Sequence, residues 1–212
     1  IKKVDKATNG KVGYIYIPDM GPEGLNEFSR YFYPQLDKEG LIIDDRANGG
    51  GNVSPMILEP LSREPYRLTM RRGSSLIGTV PDAVQVGPKV CLINKYSASD
   101  GDLFPWGFRA LGLGKLIGTR TWGGIIGISG PLPYMDGTDI RVPFFTSYDP
   151  KTGNWIIENH GVDPDILIDN DPIKEWNGED QQLDRAIEEV MKQLKERKPL
   201  APVPAPRDWS HK

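Results

Sequence analysis

Residues 41–52 read LIIDDRANGGGN, and they decide what kind of fold the chain can build. The apolar run 41–43 ends in Asp44, which predicts a short buried strand followed at once by a loop. Three consecutive glycines add no packing and cost backbone entropy, so this loop needs positive φ angles or the close approach of another group. Exposed main-chain N–H groups in such a turn suit an anion or a developing oxyanion. A tight strand-to-helix connection is the structural alternative.

Strands and helices alternate on either side of this stretch, which predicts an α/β core with parallel crossovers. Apolar and β-branched runs predict strands over 11–17, 89–95 and 116–122. Helical spacing predicts helices from residue 22 to a break at Pro34, over 53–62 and after residue 102. Turn signals at Asp136-Gly137 and at 150–153 predict β-hairpins between 131 and 157, and a final helix follows over about 180–197. We expect a core domain over 1–197 and a proline-rich tail over 198–212.

Composition excludes several classes of protein. The formal net charge is −3, and lysine and arginine are scattered, so there is no basic excess for nucleic acid. No apolar run approaches the roughly 18 residues needed to cross a membrane. Cys91, the only cysteine, excludes an internal disulfide and a cysteine-based zinc site. We expect neither a metal nor an organic cofactor.

A second unusual loop, YSASDGD over 96–102, follows the predicted strand 89–95 and opens a helix. A serine at such a junction is placed like a nucleophile at an elbow: the Ser99 hydroxyl is exposed and the next N–H, that of Asp100, is available to an oxyanion. Ser and Asp are also common residues at helix N-termini, so helix capping alone explains both. The residues by themselves leave these two interpretations open.

Four runs, IIDDRANGGGN, INKYSASDGDLFPWGFRALGLG, IGTRTWGG and ENHGVDPDI, occur in one order at plausible spacing. Together they resemble the catalytic core of tricorn-type proteases, in the broader family of C-terminal processing peptidases, over about residues 11–197. The resemblance implies an α/β fold akin to crotonases and Clp proteases, with a hairpin-rich C-terminal part and a final helix. It also implies peptide substrates and a homo-oligomer.

The resemblance assigns roles to particular residues. It makes Ser99 the nucleophile and places Asp100 N–H in the oxyanion hole, with Gly50 as the second donor in preference to Gly51. It places Glu158 in the charge network that polarises the catalytic serine–histidine pair. A carboxylate that makes a structural hydrogen bond at a strand end is the alternative for Glu158.

The general base is not evident in this sequence. The serine–lysine branch of the family has a lysine where this chain has Gly124, so histidine must activate the serine. His211 lies in the tail, and His160 falls at a variable position of the ENHGVDPDI motif, two residues from Glu158. The resemblance places the histidine upstream, beyond a PDZ domain, and we expect these parts of a longer chain as partners.

The sequence thus predicts a tricorn-like serine peptidase core that hydrolyses peptide bonds by acyl transfer and lacks its histidine. The cytoplasm is the expected location, with the periplasm and secretion as alternatives. The first rival function is a crotonase-like hydratase or isomerase that uses the glycine turn, residues 49–51, as its oxyanion hole. A binding or scaffold module without turnover is the second.

Overall fold

A five-stranded parallel sheet organises the chain. The computed structural model describes residues 1–71, 73, 76–128, 132–198 and 200–204. The strands of this sheet are β1 (Val12–Tyr16), β2 (Gly40–Asp44), β5 (Lys89–Ile93), β6 (Gly114–Gly118) and β11 (Ile166–Leu167). They lie in the order β1-β2-β5-β6-β11, and every neighbouring pair is parallel. Because the first four strands are added in chain order, the loops that follow β2 and β5 leave the same edge of the sheet side by side.

Helices cover both faces of the sheet, which is why β2 and β5 are buried along their whole length. The connections α2 (Pro22–Phe32), α3 (Ser54–Ser62) and α4 (Asp100–Ala110) pack on one face. The helices α1 (Lys2–Thr8) and α6 (Gln181–Glu196) pack on the other. Alternate residues of β2 serve the two cores, since Leu41 and Ile43 face the first and Ile42 faces the second.

The remaining elements are short. Two antiparallel ribbons lie in the C-terminal part, one formed by β7 (Gly127–Ile128) with β10 (Pro143–Phe145) and one by β8 (Leu132–Pro133) with β9 (Asp139–Ile140). A third ribbon, β3 (Arg67–Met70) with β4 (Ile77–Val80), follows α3. A short helix α5 (Pro172–Trp176) precedes α6. None of the helices within the described ranges has the length and apolar character needed to cross a membrane.

The predicted α/β class is confirmed, including the hairpin-rich C-terminal part and the final helix. The predicted strand over 116–122 is wrong in its bounds, because Gly118 has φ 132° and the chain leaves the sheet there. The helix predicted from residue 22 ends at Phe32, and Pro34 lies in the 3₁₀ turn that follows. Of the predicted tail, residues 200–204 form neither helix nor strand, and residues 199 and 205–212, with His211, lie outside the described residues.

Candidate active site

The two unusual loops meet at the carboxyl edge of the sheet, where clefts of parallel α/β folds form. The N–H of Ala98 donates to the carbonyl of Asn48 at 2.8 Å. The Ser97 hydroxyl donates to the carbonyl of Asp45, also at 2.8 Å. A Cβ built on Gly50 would lie 2.7 Å from the Ser99 Cβ, so the glycine turn touches the serine directly. The structure thus brings together the residues that the sequence proposed as nucleophile and oxyanion hole.

Ser99 has a backbone conformation that non-glycine residues rarely adopt. Its φ is 57° and its ψ is −119°, which correspond to the first central position of a type II′ turn. The Gly101 N–H closes this turn by donating to the Ala98 carbonyl at 2.8 Å. The helix α4 begins at Asp100, the residue that follows Ser99. The Ser99 side chain makes no hydrogen bond to the α4 N–H groups, so helix capping does not account for this serine. Strain of this kind, of the order of 1–3 kcal/mol, is typical of functional sites.

This strain predicts that Ser99→Gly is more stable than Ser99→Ala. Glycine adopts φ 57° without a steric penalty, whereas alanine keeps the strained Cβ. We expect the free energy of unfolding of Ser99→Gly to exceed that of Ser99→Ala by about 1 kcal/mol. Urea unfolding of the two variants measures this difference. Equal stabilities would mean that the turn carries no strain at this residue.

The glycine turn offers two candidate oxyanion donors in different states. Gly50 has φ 96°, and its N–H donates to the Asn48 Oδ1 at 2.9 Å. Gly51 has φ 153°, and a Cβ there would lie 1.9 Å from the Met20 carbonyl oxygen. Within the described part of the chain, neither the Gly51 N–H nor the Asp100 N–H meets a hydrogen-bond acceptor. An oxyanion could therefore take the Asp100 N–H directly, while the Gly50 N–H must be shared with Asn48 or released by it.

The Asp100 side chain ties the two loops together. It is 5% exposed, and its carboxylate accepts the N–H of Ser54 at 2.9 Å as well as the Ser54 hydroxyl. Ser54 is the first residue of α3, the helix that follows the glycine turn. A carboxylate at a helix N-terminus is favoured by the helix dipole. The side chain of Asp100 is therefore structural, while its N–H remains open.

Glu158 lies next to the segment that follows Gly123. Its Oε2 accepts the N–H groups of Ile125 at 2.7 Å and Ile126 at 2.9 Å. Within the described residues its Oε1 has no hydrogen-bond partner. The structural hydrogen bond considered from the sequence is thus present, and one carboxylate oxygen remains free for a further contact.

His160 and Gly124 are the positions that bear on the general base. His160 Nε2 lies 2.8 Å from Asp163 Oδ2, and among the described residues the imidazole makes no hydrogen bond to Glu158 or Ser99. Hydrogen bonds from His160 and Arg120 lower the pKa of the Asp163 carboxyl. A Cβ built on Gly124 would lie 2.2 Å from the Trp122 ring, so that ring stands where a lysine side chain would begin.

Sequence reasoning missed Asp45, which is fully buried beneath the site. Its Oδ1 accepts a hydrogen bond from Asn48 Nδ2 at 2.9 Å, and its Oδ2 has no partner among the described residues. Burial, and after it the charge of Asp44, raise the pKa of this carboxyl well above its ordinary value. Asn48 in turn holds the Gly50 N–H, so Asp45 sets the orientation of the amide that supports the glycine turn. The only sequence signal was an acidic residue where a buried strand ends.

The raised pKa of Asp45 makes stability depend on pH. A carboxyl whose pKa is raised in the folded state contributes fully to the free energy of unfolding when the pH is below its pKa in the unfolded chain, about 3.9. This stabilisation is lost as the pH rises toward the pKa of the folded state. Asp45→Asn removes that dependence, so we expect its stability relative to the unchanged protein to rise by up to about 1.4 kcal/mol per pH unit in that window. Urea unfolding at several pH values measures the difference in the free energy of unfolding between Asp45→Asn and the unchanged protein. Asp139→Asn, at an exposed position, serves as the control, and parallel curves for all three proteins would contradict the prediction.

Comparison with known proteins identifies the family of this chain. Residues 11–168 match peptidase family S41. A tricorn protease of Thermoplasma volcanium is 44% identical over 197 residues, which cover 93% of this chain and 19% of that protein. Tricorn protease homolog 1 of Streptomyces coelicolor is 37% identical over 193 residues, with 91% and 18% covered.

The solved structures show the same relationship. The crystal structure of the tricorn protease matches with a TM-score of 0.85 at 41% identity, over 92% of this chain and 19% of that one. The photosystem II D1 C-terminal processing protease, at 22% identity and a TM-score of 0.54 over 74% of this chain and 42% of that one, shares the fold. The chain therefore spans about a fifth of the length of its tricorn relatives. Since the family match covers more than half of its residues and includes both loops of the site, this chain belongs to peptidase family S41.

Proposed function

We propose that this domain carries the nucleophile and oxyanion hole of a tricorn-type serine peptidase that hydrolyses peptide bonds by acyl transfer. One observation carries the proposal: Ser99 sits at φ 57° and ψ −119° where α4 begins, with the glycine turn against its Cβ. This arrangement exposes a hydroxyl beside main-chain N–H groups, as acyl transfer requires. Residues 1–197 form the proposed catalytic core.

In the proposed mechanism Ser99 Oγ attacks the scissile carbonyl carbon and its proton passes to a histidine. The Asp100 N–H and an N–H of the glycine turn stabilise the oxyanion of the tetrahedral intermediate. The histidine then protonates the leaving amine, and water hydrolyses the acyl-enzyme. No metal or organic cofactor takes part in these steps.

The proposed histidine comes from another part of a longer protein, because among the described residues His160 makes no hydrogen bond to Ser99 or to Glu158. The length of the tricorn relatives supports this proposal, since they extend well beyond the matched region. Glu158 fits the proposed charge network, because Oε2 is held by two N–H groups while Oε1 is left for a group from outside this domain. A PDZ domain in the same chain and a homo-oligomer of the whole protein belong to the same proposal.

A fluorophosphonate probe tests the proposal, because it reacts with activated serines. We expect the full-length protein to be labelled at Ser99, as identified by peptide mass spectrometry, and to cleave peptides. The 212-residue chain alone should react about 10²- to 10⁴-fold more slowly, which is the usual contribution of a general base. Absence of labelling in the full-length protein would favour a crotonase-like or non-catalytic role instead.

A further inference from the structure

Two carboxylates bind four consecutive backbone N–H groups beside the nucleophile. Asp102 Oδ1 accepts the N–H of Gly123 at 2.8 Å, and its Oδ2 accepts that of Gly124 at 3.3 Å. Glu158 Oε2 accepts the next two N–H groups along the chain, at 2.7 and 2.9 Å. We call residues 123–126 the clamped segment. These four N–H groups lie outside any helix or strand and donate to these two side chains, while the Gly123 carbonyl also accepts the N–H of Asn159 at 2.7 Å, so both the carboxylates and the residue after Glu158 position the segment.

Asp102 belongs to the nucleophile's own helix. It is 0% exposed, and its N–H donates to the Ser99 carbonyl at 2.8 Å within the first turn of α4. The residue just before the clamped segment, Trp122, donates its N–H to the Ser97 carbonyl at 2.9 Å. The chain at the clamped segment is thus attached near Ser99 in two ways: by the backbone hydrogen bond from Trp122 to Ser97, and by the hydrogen bonds that Asp102 accepts. Buried carboxylates accepting N–H groups make strong, charge-assisted hydrogen bonds.

We propose that Asp102 is a positioning residue that fixes the distance between Ser99 and Glu158 through the clamped segment. Ser99 immediately precedes α4, the helix that carries Asp102. The two amides that donate to Asp102 are followed directly in the chain by the two that donate to Glu158. Release of Gly123 and Gly124 therefore lets Glu158 shift relative to Ser99. A displacement of about 1 Å in such a site lowers rates by about 10²-fold. The inference rests on the proposed function, in which Glu158 supports the base that activates Ser99.

Asp102→Asn is the variant that isolates this role. The side chain keeps its size, but one of its two acceptors becomes an NH₂ donor that faces a backbone N–H, so one half of the clamp is lost. Asp165→Asn is the matched control. Asp165 also accepts a backbone N–H, that of Leu116 at 2.7 Å, but it contacts Arg109 near the opposite end of α4 from Ser99.

Two measurements on the full-length protein decide the proposal: the rate of fluorophosphonate labelling at Ser99, and amide hydrogen exchange of residues 123–126. We expect Asp102→Asn to slow labelling by about 10- to 100-fold and to speed exchange at all four amides. Glu158→Gln should speed exchange at Ile125 and Ile126 only. Asp165→Asn should leave the labelling rate and the exchange of these four amides unchanged.

Several results would overturn the proposal. Labelling of folded Asp102→Asn at the rate of the unchanged protein would show that Asp102 does not act on Ser99. Faster exchange confined to Gly123 and Gly124 would show that the clamp does not extend to Glu158. An unchanged protein that is not labelled at Ser99 would reject the peptidase function itself, and the exchange pattern would still decide whether Asp102 holds the segment.

Discussion

Replacing Ser99 by alanine in the full-length protein is expected to lower kcat/KM for peptide hydrolysis by at least about 10⁴-fold. The nucleophile of a serine peptidase acts together with its base, so its loss removes nearly all of their joint contribution. The backbone should keep its shape, because alanine retains the Cβ that already packs against Gly50. Steady-state cleavage of a peptide substrate, with fluorophosphonate labelling of the same sample, measures the effect.

The matched control is Ser62→Ala at the end of α3, where the hydroxyl donates to the Glu59 carbonyl of its own helix. We expect its kcat/KM to stay within about twofold of the unchanged protein, since such surface changes have small effects. Residual activity of more than about a tenth in Ser99→Ala would contradict the assignment of the nucleophile. His160→Ala should have no such effect, because the proposed base comes from outside this domain and His160 makes no hydrogen bond to Ser99 among the described residues.

Replacing Gly50 by alanine is expected to lower kcat by about 10²- to 10³-fold, the usual effect of losing one oxyanion donor. A Cβ there would lie 2.7 Å from both the Ala98 carbonyl oxygen and the Ser99 Cβ, so the turn must move away from the nucleophile. The positive φ of 96° adds strain. We therefore also expect the free energy of unfolding to fall by more than about 1 kcal/mol. Single-turnover kinetics and urea unfolding separate the two effects.

Neighbouring glycines provide the controls for this variant. A Cβ on Gly49 meets nothing within 4 Å among the described residues, so Gly49→Ala should keep both rate and stability. A Cβ on Gly51 would lie 1.9 Å from the Met20 carbonyl oxygen, so Gly51→Ala should lose the most stability. A Gly50→Ala protein that is destabilised but cleaves at the usual rate would contradict the oxyanion role of Gly50. Loss of rate in Gly51→Ala alone would transfer that role to Gly51.

The core strands and crossover helices were predictable because each carries its own hydrophobic pattern. Residues 41–43 form a continuous apolar run, and α6 has an apolar stripe on an otherwise charged helix, so the local sequence determines both. The ribbon of β3 and β4 was missed because its residues are mostly exposed and its short strands bury no hydrophobic face. The helix α1 was missed for a similar reason, since within it only Val4 and Thr8 are buried.

By itself the sequence determined the α/β class and the two loops that form the site, and its resemblance to tricorn-type proteases made Ser99 the candidate nucleophile. The class and the loops depend on local periodicity and on residue types that leave little choice of conformation, such as three successive glycines. Only the tertiary structure decided which partners each polar group meets. Asp45 became a fully buried acid with a raised pKa, and Asp102 became a clamp on amides far along the chain, because burial and hydrogen bonds between distant residues depend on how the strands and loops pack.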